Sequence, residues 1–137
     1  MPSPSSSPAS VLVFTRFPQP GQVKTRLIPE LGPHQAARLQ ADMTDHTVQQ
    51  SLQVAEARQV TVWYQGGTRE QMAALFGPRP HYQLQPPGDL GHKMYTALTR
   101  ELEQGIGRTV LVGTDCPHLS TRILDQALVF LHNSDLV

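Results

Sequence analysis

The chain has 137 residues, zero net charge, 39% hydrophobic residues and 16% charged ones, so its length fits one domain that buries roughly two-thirds of its unfolded surface in a single core. The neutral balance argues against a general nucleic-acid binder, whose affinity comes from neutralising phosphates. A lone cysteine, Cys116, excludes an intrachain disulfide and makes a reducing cytoplasm the expected compartment.

The first ten residues, rich in Pro and Ser, are expected to form a disordered tail, with residues 11–137 as the folded domain. The tail lacks a positive n-region, and no apolar run reaches membrane-spanning length, so neither a secretory signal nor a membrane anchor is expected. Val11 to Thr15 reads as the first strand. It feeds the Pro- and Gly-broken loop Phe17-Pro18-Gln19-Pro20-Gly21-Gln22-Val23-Lys24-Thr25-Arg26-Leu27. Pro33 suits a first helical position. A long helix is expected from about His34 to Glu56, with Ala36, Leu39, Met43, Val48, Leu52 and Ala55 at helical spacing.

Gln59 to Tyr64 reads as the second strand, stopped by Gly66-Gly67. A short helix from Arg69 to Phe76 follows, ended by Gly77-Pro78. The third strand is His81 to Gln85. Asp89 then caps a helix with Leu90, Met94, Ala97, Leu98 and Leu102 on one face. Thr109 to Val112 is the fourth strand. Ser120 caps a last helix reaching about Leu131, with Leu119 and Leu124 placed as a hydrophobic staple. Asp135-Leu136-Val137 looks like the start of another strand. Apolar strands alternating with helices predict an α/β fold: a doubly wound, Rossmann-like, mostly parallel sheet with helices on both faces.

Arg16, Lys24 and Arg26 sit in or beside the first loop with no acidic residue among them. In such a sheet that loop lies at the carboxyl edge, where ligands bind. Gly21 through Arg26, including Thr25, supplies backbone N–H groups and cations to a pyrophosphate. The spacing is not that of a P-loop, and the same residues also suit a solvated basic loop. Asp115 follows the fourth strand, where a Mg²⁺ or Mn²⁺ bridging to a nucleotide is held. The alternative is an Asp that only shapes the turn. Lys24 and Asp115 are the catalytic candidates, with Asp115 also the metal ligand.

Gln85, both donor and acceptor, suits a base edge, and Gly88 and Asp89 open the helix beside it. Cys116 reads as a small buried thiol rather than a nucleophile. The six histidines show no metal-ligand spacing, and Trp63 and Tyr64 read as packing residues.

Four ordered stretches, FTRFPQPGQVKTRL from Phe14, LG…A at Leu31 to Ala37, QPPGDLGHKM from Gln85 and VGTDCPHL from Val112, resemble the DUF2064 family. These are glycosyltransferase-A-fold, nucleotide-diphospho-sugar transferase-like proteins. The chain is also similar to phospholactate guanylyltransferase and molybdenum cofactor nucleotidyltransferases. The resemblance implies that Gly21, Lys24 and Arg26 contact nucleotide phosphates, that Gln85, Gly88 and Asp89 lie by base and ribose, and that Asp115 holds the metal. It implies displacement at a nucleotide phosphate or at a nucleotide-sugar anomeric carbon. Family members extend beyond the equivalent of residue 137, so the resemblance also implies a truncated domain without the C-terminal part of the fold. An unfinished sheet edge would then pair in a homodimer. The alternative reading is a catalytically inactive nucleotide-binding or dimerisation module.

Overall fold

The computed structural model describes residues 8–55, 57–115 and 118–133. Four parallel strands form one sheet in the order β3-β2-β1-β4: β1 Ala9–Arg16, β2 Ala57–Gln65, β3 His81–Leu84 and β4 Arg108–Val112. A 3₁₀ turn over Thr25–Leu27 and the short α1, Ile28–Leu31, follow β1. The longer helices are α2 Pro33–Leu52, α3 Arg69–Phe76, α4 Leu90–Glu103 and α5 Thr121–Asn133.

Strand alternation divides the core in two. Val11 and Val13 of β1, Val60, Val62 and Tyr64 of β2 and Tyr82 of β3 pack with Val48 of α2, Met72 and Phe76 of α3, and Leu124 and Leu128 of α5. Leu12, Phe14 and Trp63 point the other way and meet Met94, Ala97 and Leu98 of α4. Burial from both sides is why β1 reads as a continuous apolar run. The fold is therefore the doubly wound α/β sheet that the strand pattern predicts.

Several boundaries differ from expectation. β1 begins at Ala9, and the carbonyl of Pro8 accepts a hydrogen bond from the Arg108 N–H, so residues 8–10 belong to the sheet rather than to a tail. Residues 1–7, Cys116 and the segment 135–137 lie outside the described residues. α2 ends at Leu52, and its buried face is Ala36, Ala37, Gln40, Thr44, Thr47, Val48 and Ser51. Leu39, Met43 and Leu52 are only half-buried and Ala55 is exposed. Small polar side chains can replace the expected apolar stripe because each hydroxyl finds a partner. Thr44 bonds Thr15, Thr47 donates to the Met43 carbonyl and Ser51 to the Thr47 carbonyl. On α4, Leu90 and Leu102 are exposed. Leu102 lies seven residues from the exposed Tyr95, on the side facing away from the sheet, and Leu90 overhangs the carboxyl edge.

Expected caps are present. Asp89 accepts from the His92 N–H, and Ser120 from that of Ile123. Thr68 and Gln71 form a capping box on α3. Leu119 and Leu124 are both buried in the larger core.

The buried phenol of Tyr82 donates to the Gly77 carbonyl at 2.6 Å, tying β3 to the end of α3. Burial, with the nearby negative charge of Asp45 second, pushes its pKa from 10.0 up to about 12. Below pH 10 both folded and unfolded chains keep the proton and its stabilisation is intact. Between pH 10 and about 12 the unfolded chain ionises first, so stability falls. Tyr82→Phe is expected to lose about 1 kcal/mol at neutral pH and to flatten that alkaline decline. Urea unfolding over a pH series measures both effects.

Candidate functional site

The strand order reverses at β1: the chain steps outward to β2 and β3, then returns to place β4 on β1's other side. The carboxyl ends of β1 and β4 thus flank a topological switch point, where open α/β sheets form a ligand crevice. A cleft of about 650 Å³ opens there, lined among others by Arg16, Lys24, Gln85, Lys93, Thr114 and Asp115.

The β1 loop is anchored at both ends. The Phe17 N–H bonds the Gln65 carbonyl, and Val23 is buried at 3% exposure beside the cleft. Gly21, at φ 84°, lets the chain reverse. Lys24 adopts the left-handed conformation at φ 51°, ψ 41°, and its carbonyl accepts the Leu27 N–H to start the 3₁₀ turn. That backbone places the ammonium against Asp115, and the two form an ion pair across the switch point. The Lys24 side chain is 19% exposed and that of Asp115 79%. The carboxylate therefore keeps an open face toward solvent.

The strand ends beneath the cleft are cross-tied. Gln85 donates to the carbonyls of Thr15 and Trp63, both at 3.0 Å, and its own oxygen accepts from Lys93 at 3.3 Å. On the other side, the buried Gln40 donates to the Thr15 hydroxyl and the Arg16 carbonyl, and Thr44 completes the chain.

The structure brings Arg16, Lys24, Gln85, Gly88 and Asp115 to one cleft. It does not bring Gly21, Thr25, Arg26 or Asp89 to its lining. Gly21, Thr25 and Arg26 are exposed on the loop, and Asp89 is occupied as the cap of α4. Gln85 reaches the cleft with both amide hydrogens already committed to main-chain carbonyls, so it serves as a brace rather than a free base reader. Gly88 stands at φ 115°, where an added Cβ would meet the His92 ring at 3.1 Å. Sequence reasoning missed Lys93 and Gln40. Lys93 was findable as the cation in the first turns of the helix that follows the third strand. Gln40 looked like an ordinary polar helix residue.

Among the described residues, no three His, Cys, Asp or Glu side chains converge as a metal cluster, and Asp115 is the one carboxylate lining the cleft. A single exposed carboxylate at a strand end fits a hard cation that completes its shell with ligand phosphates and water. It does not fit a cation caged by protein alone.

This four-stranded parallel α/β architecture has counterparts among solved structures. It is similar to the crystal structure of a "putative nucleotide-diphospho-sugar transferase" from Desulfovibrio desulfuricans G20, with 30% identity, a TM-score of 0.84, and 91% of this chain and 55% of that one covered. It also shares its fold with CMP:2-keto-3-deoxy-manno-octonic acid synthetase complexed with CTP, at 16% identity and a TM-score of 0.64, covering 94% and 49%. The chain thus spans about half the length of these solved structures. Residues 47–137 match the family described as "Uncharacterized protein conserved in bacteria (DUF2064)", and the chain belongs to that family. No curated protein matches the sequence. No described helix is long and apolar enough to cross a membrane.

Replacing Gln85 by Leu keeps the side-chain bulk and strips two carbonyls of their donor. The expected cost is about 1–3 kcal/mol, read from the urea midpoint of Gln85→Leu against wild type.

Proposed function

We propose that this domain binds the phosphates of a nucleotide or nucleotide sugar together with Mg²⁺ or Mn²⁺, and serves glycosyl or nucleotidyl transfer. The observation that carries the reading is the pairing of Lys24 with Asp115 across the switch point. One cation and one open carboxylate at that place match a phosphate and its counter-ion. The fold likeness at 30% identity over 91% of this chain supports the same class.

In this reading the chain's residues divide the work. Lys24 and Arg16 neutralise phosphate charge at the β1 end, and Lys93 adds a third cation at the mouth of α4. Preorganised positive charge stabilises an anionic transition state because it need not reorient during reaction. Asp115 supplies the protein's ligand to the cation. Bound there, the cation would neutralise charge building on the leaving phosphate, whether displacement occurs at phosphorus or at an anomeric carbon. Gln85 and Gln40 hold the strand ends so that the cleft keeps its shape.

The β4 edge belongs to the same proposal. Among the described residues β4 pairs on one side only, and Val110, Leu111 and Val112 are half-buried. An apolar open edge of this kind favours strand pairing with a second copy. Light scattering over a concentration series should show dimer mass; monomer throughout rejects the pairing.

Calorimetric titration with ribonucleoside triphosphates and nucleotide sugars, with and without Mn²⁺, tests the central reading. Wild type should bind one nucleotide in a metal-dependent way. Lys24→Ala should weaken it about tenfold or more, the loss of a charge-assisted contact. Asp115→Ala should abolish the metal-dependent part while leaving the unfolding midpoint in place. Equal metal-dependent affinity in Asp115→Ala would make Asp115 a turn residue only.

A further inference from the structure

The Lys24–Asp115 pair has a consequence for how the cation arrives. Any dication approaching Asp115 meets the Lys24 ammonium already seated on that carboxylate. Lys24 is anchored at the cleft through its backbone. Its side chain is largely covered, its backbone sits in the left-handed region, and its carbonyl is held by the Leu27 N–H at 2.9 Å. Val23, the residue before it, is buried against the domain. Sharing the carboxylate would set a dication beside an ammonium, a like-charge contact at close range that costs energy even with the open face of Asp115 in water.

The rest of the cleft deepens the barrier. Among the described residues, Arg16, Lys24 and Lys93 line it against the single carboxylate of Asp115. Such a surface repels a bare cation and attracts an anion. A cation chelated by a di- or triphosphate reverses both effects. The complex as a whole is anionic, and its phosphate oxygens give the Lys24 ammonium a new partner when Asp115 turns to the metal.

We infer that Lys24 is the resident counter-ion of Asp115, and that the cleft takes its divalent cation only as the complex of a nucleotide di- or triphosphate. One carboxylate–ammonium contact is exchanged for a carboxylate–cation contact and an ammonium–phosphate contact. No covalent bond is made or broken. The inference rests on the proposed nucleotide site. By linkage, nucleotide must raise the affinity for the cation by the same factor as the cation raises that for nucleotide.

The test follows free Mn²⁺ by its paramagnetic resonance signal, first without nucleotide. Wild type and Lys24→Arg should leave millimolar Mn²⁺ unbound. Lys24→Met should take it up about tenfold more tightly, since the competing charge is gone. Adding Asp115→Asn to Lys24→Met should remove that uptake. Wild type binding Mn²⁺ alone as tightly as Lys24→Met overturns the exchange, and so does absence of uptake in every variant. Far-ultraviolet circular dichroism and the urea midpoint of Lys24→Met show that it is folded. Lys24→Arg, which keeps the charge, reports independently should the Met variant unfold. A parallel arm adds ribonucleoside triphosphates to wild type with Mn²⁺. If none binds, the proposed function fails; if one binds while Mn²⁺ alone binds equally well, only the exchange fails.

Discussion

Reversal of the strand order at β1 is the constraint from which the rest of the structure follows. Because β1 lies between β2 and β4 it is paired along both edges, and helices packed on the sheet cover both of its faces. Val11, Leu12 and Val13 are fully buried as a result. The loops that follow β1 and β4 leave side by side at the carboxyl edge where the strand order reverses, and the cleft lies there. Lys24 comes from one side of that crevice and Asp115 from the other. They are 91 residues apart in sequence, and only this topology makes them neighbours.

The two ends of the sheet are treated differently. At the amino end of the strands, Ser10, Gln59 and Glu101 close on one another, with the buried Glu101 carboxylate accepting from the Ser10 hydroxyl and the Gln59 amide. Ser10 also meets Thr109 of β4. A buried carboxylate is tolerated only when its lone pairs are satisfied, so this network belongs to the structural end. At the carboxyl end the side chains that tie the strands, Gln85 and Gln40, bond main-chain and hydroxyl oxygens and leave the charged groups facing the cleft. Rigidity sits under the site and charge sits on it.

Much of this was legible in the sequence. Alternating apolar strands and helices gave the α/β class, and strand-end position marked both Lys24 and Asp115, because a parallel sheet puts every strand's exit on one edge. Three things were hidden. The buried face of α2 is partly polar, and periodicity in apolar residues cannot find Gln40, Thr44 and Ser51. Gln85 looked free for a ligand because nothing in the sequence shows that the Thr15 and Trp63 carbonyls are within its reach. Arg26 and Lys24 were equivalent as letters, two residues apart on a loop. The backbone conformation separates them, with Lys24 turned into the cleft and Arg26 carried out by the 3₁₀ turn.

That conformation is itself informative. A lysine in the left-handed region costs energy that a glycine would not, and Gly21, three residues earlier, takes positive φ freely. Strained backbone persists where the surroundings over-determine it, and it concentrates at functional sites. Here the determinants are visible: Val23 is buried on one side, the Lys24–Leu27 hydrogen bond closes the turn on the other, and the ion pair to Asp115 rewards the side chain's direction. Folding alone would be served by glycine at this position. A lysine there makes sense when the charge it delivers to the end of β4 has a use that outweighs its backbone strain, and the proposed phosphate site would be such a use.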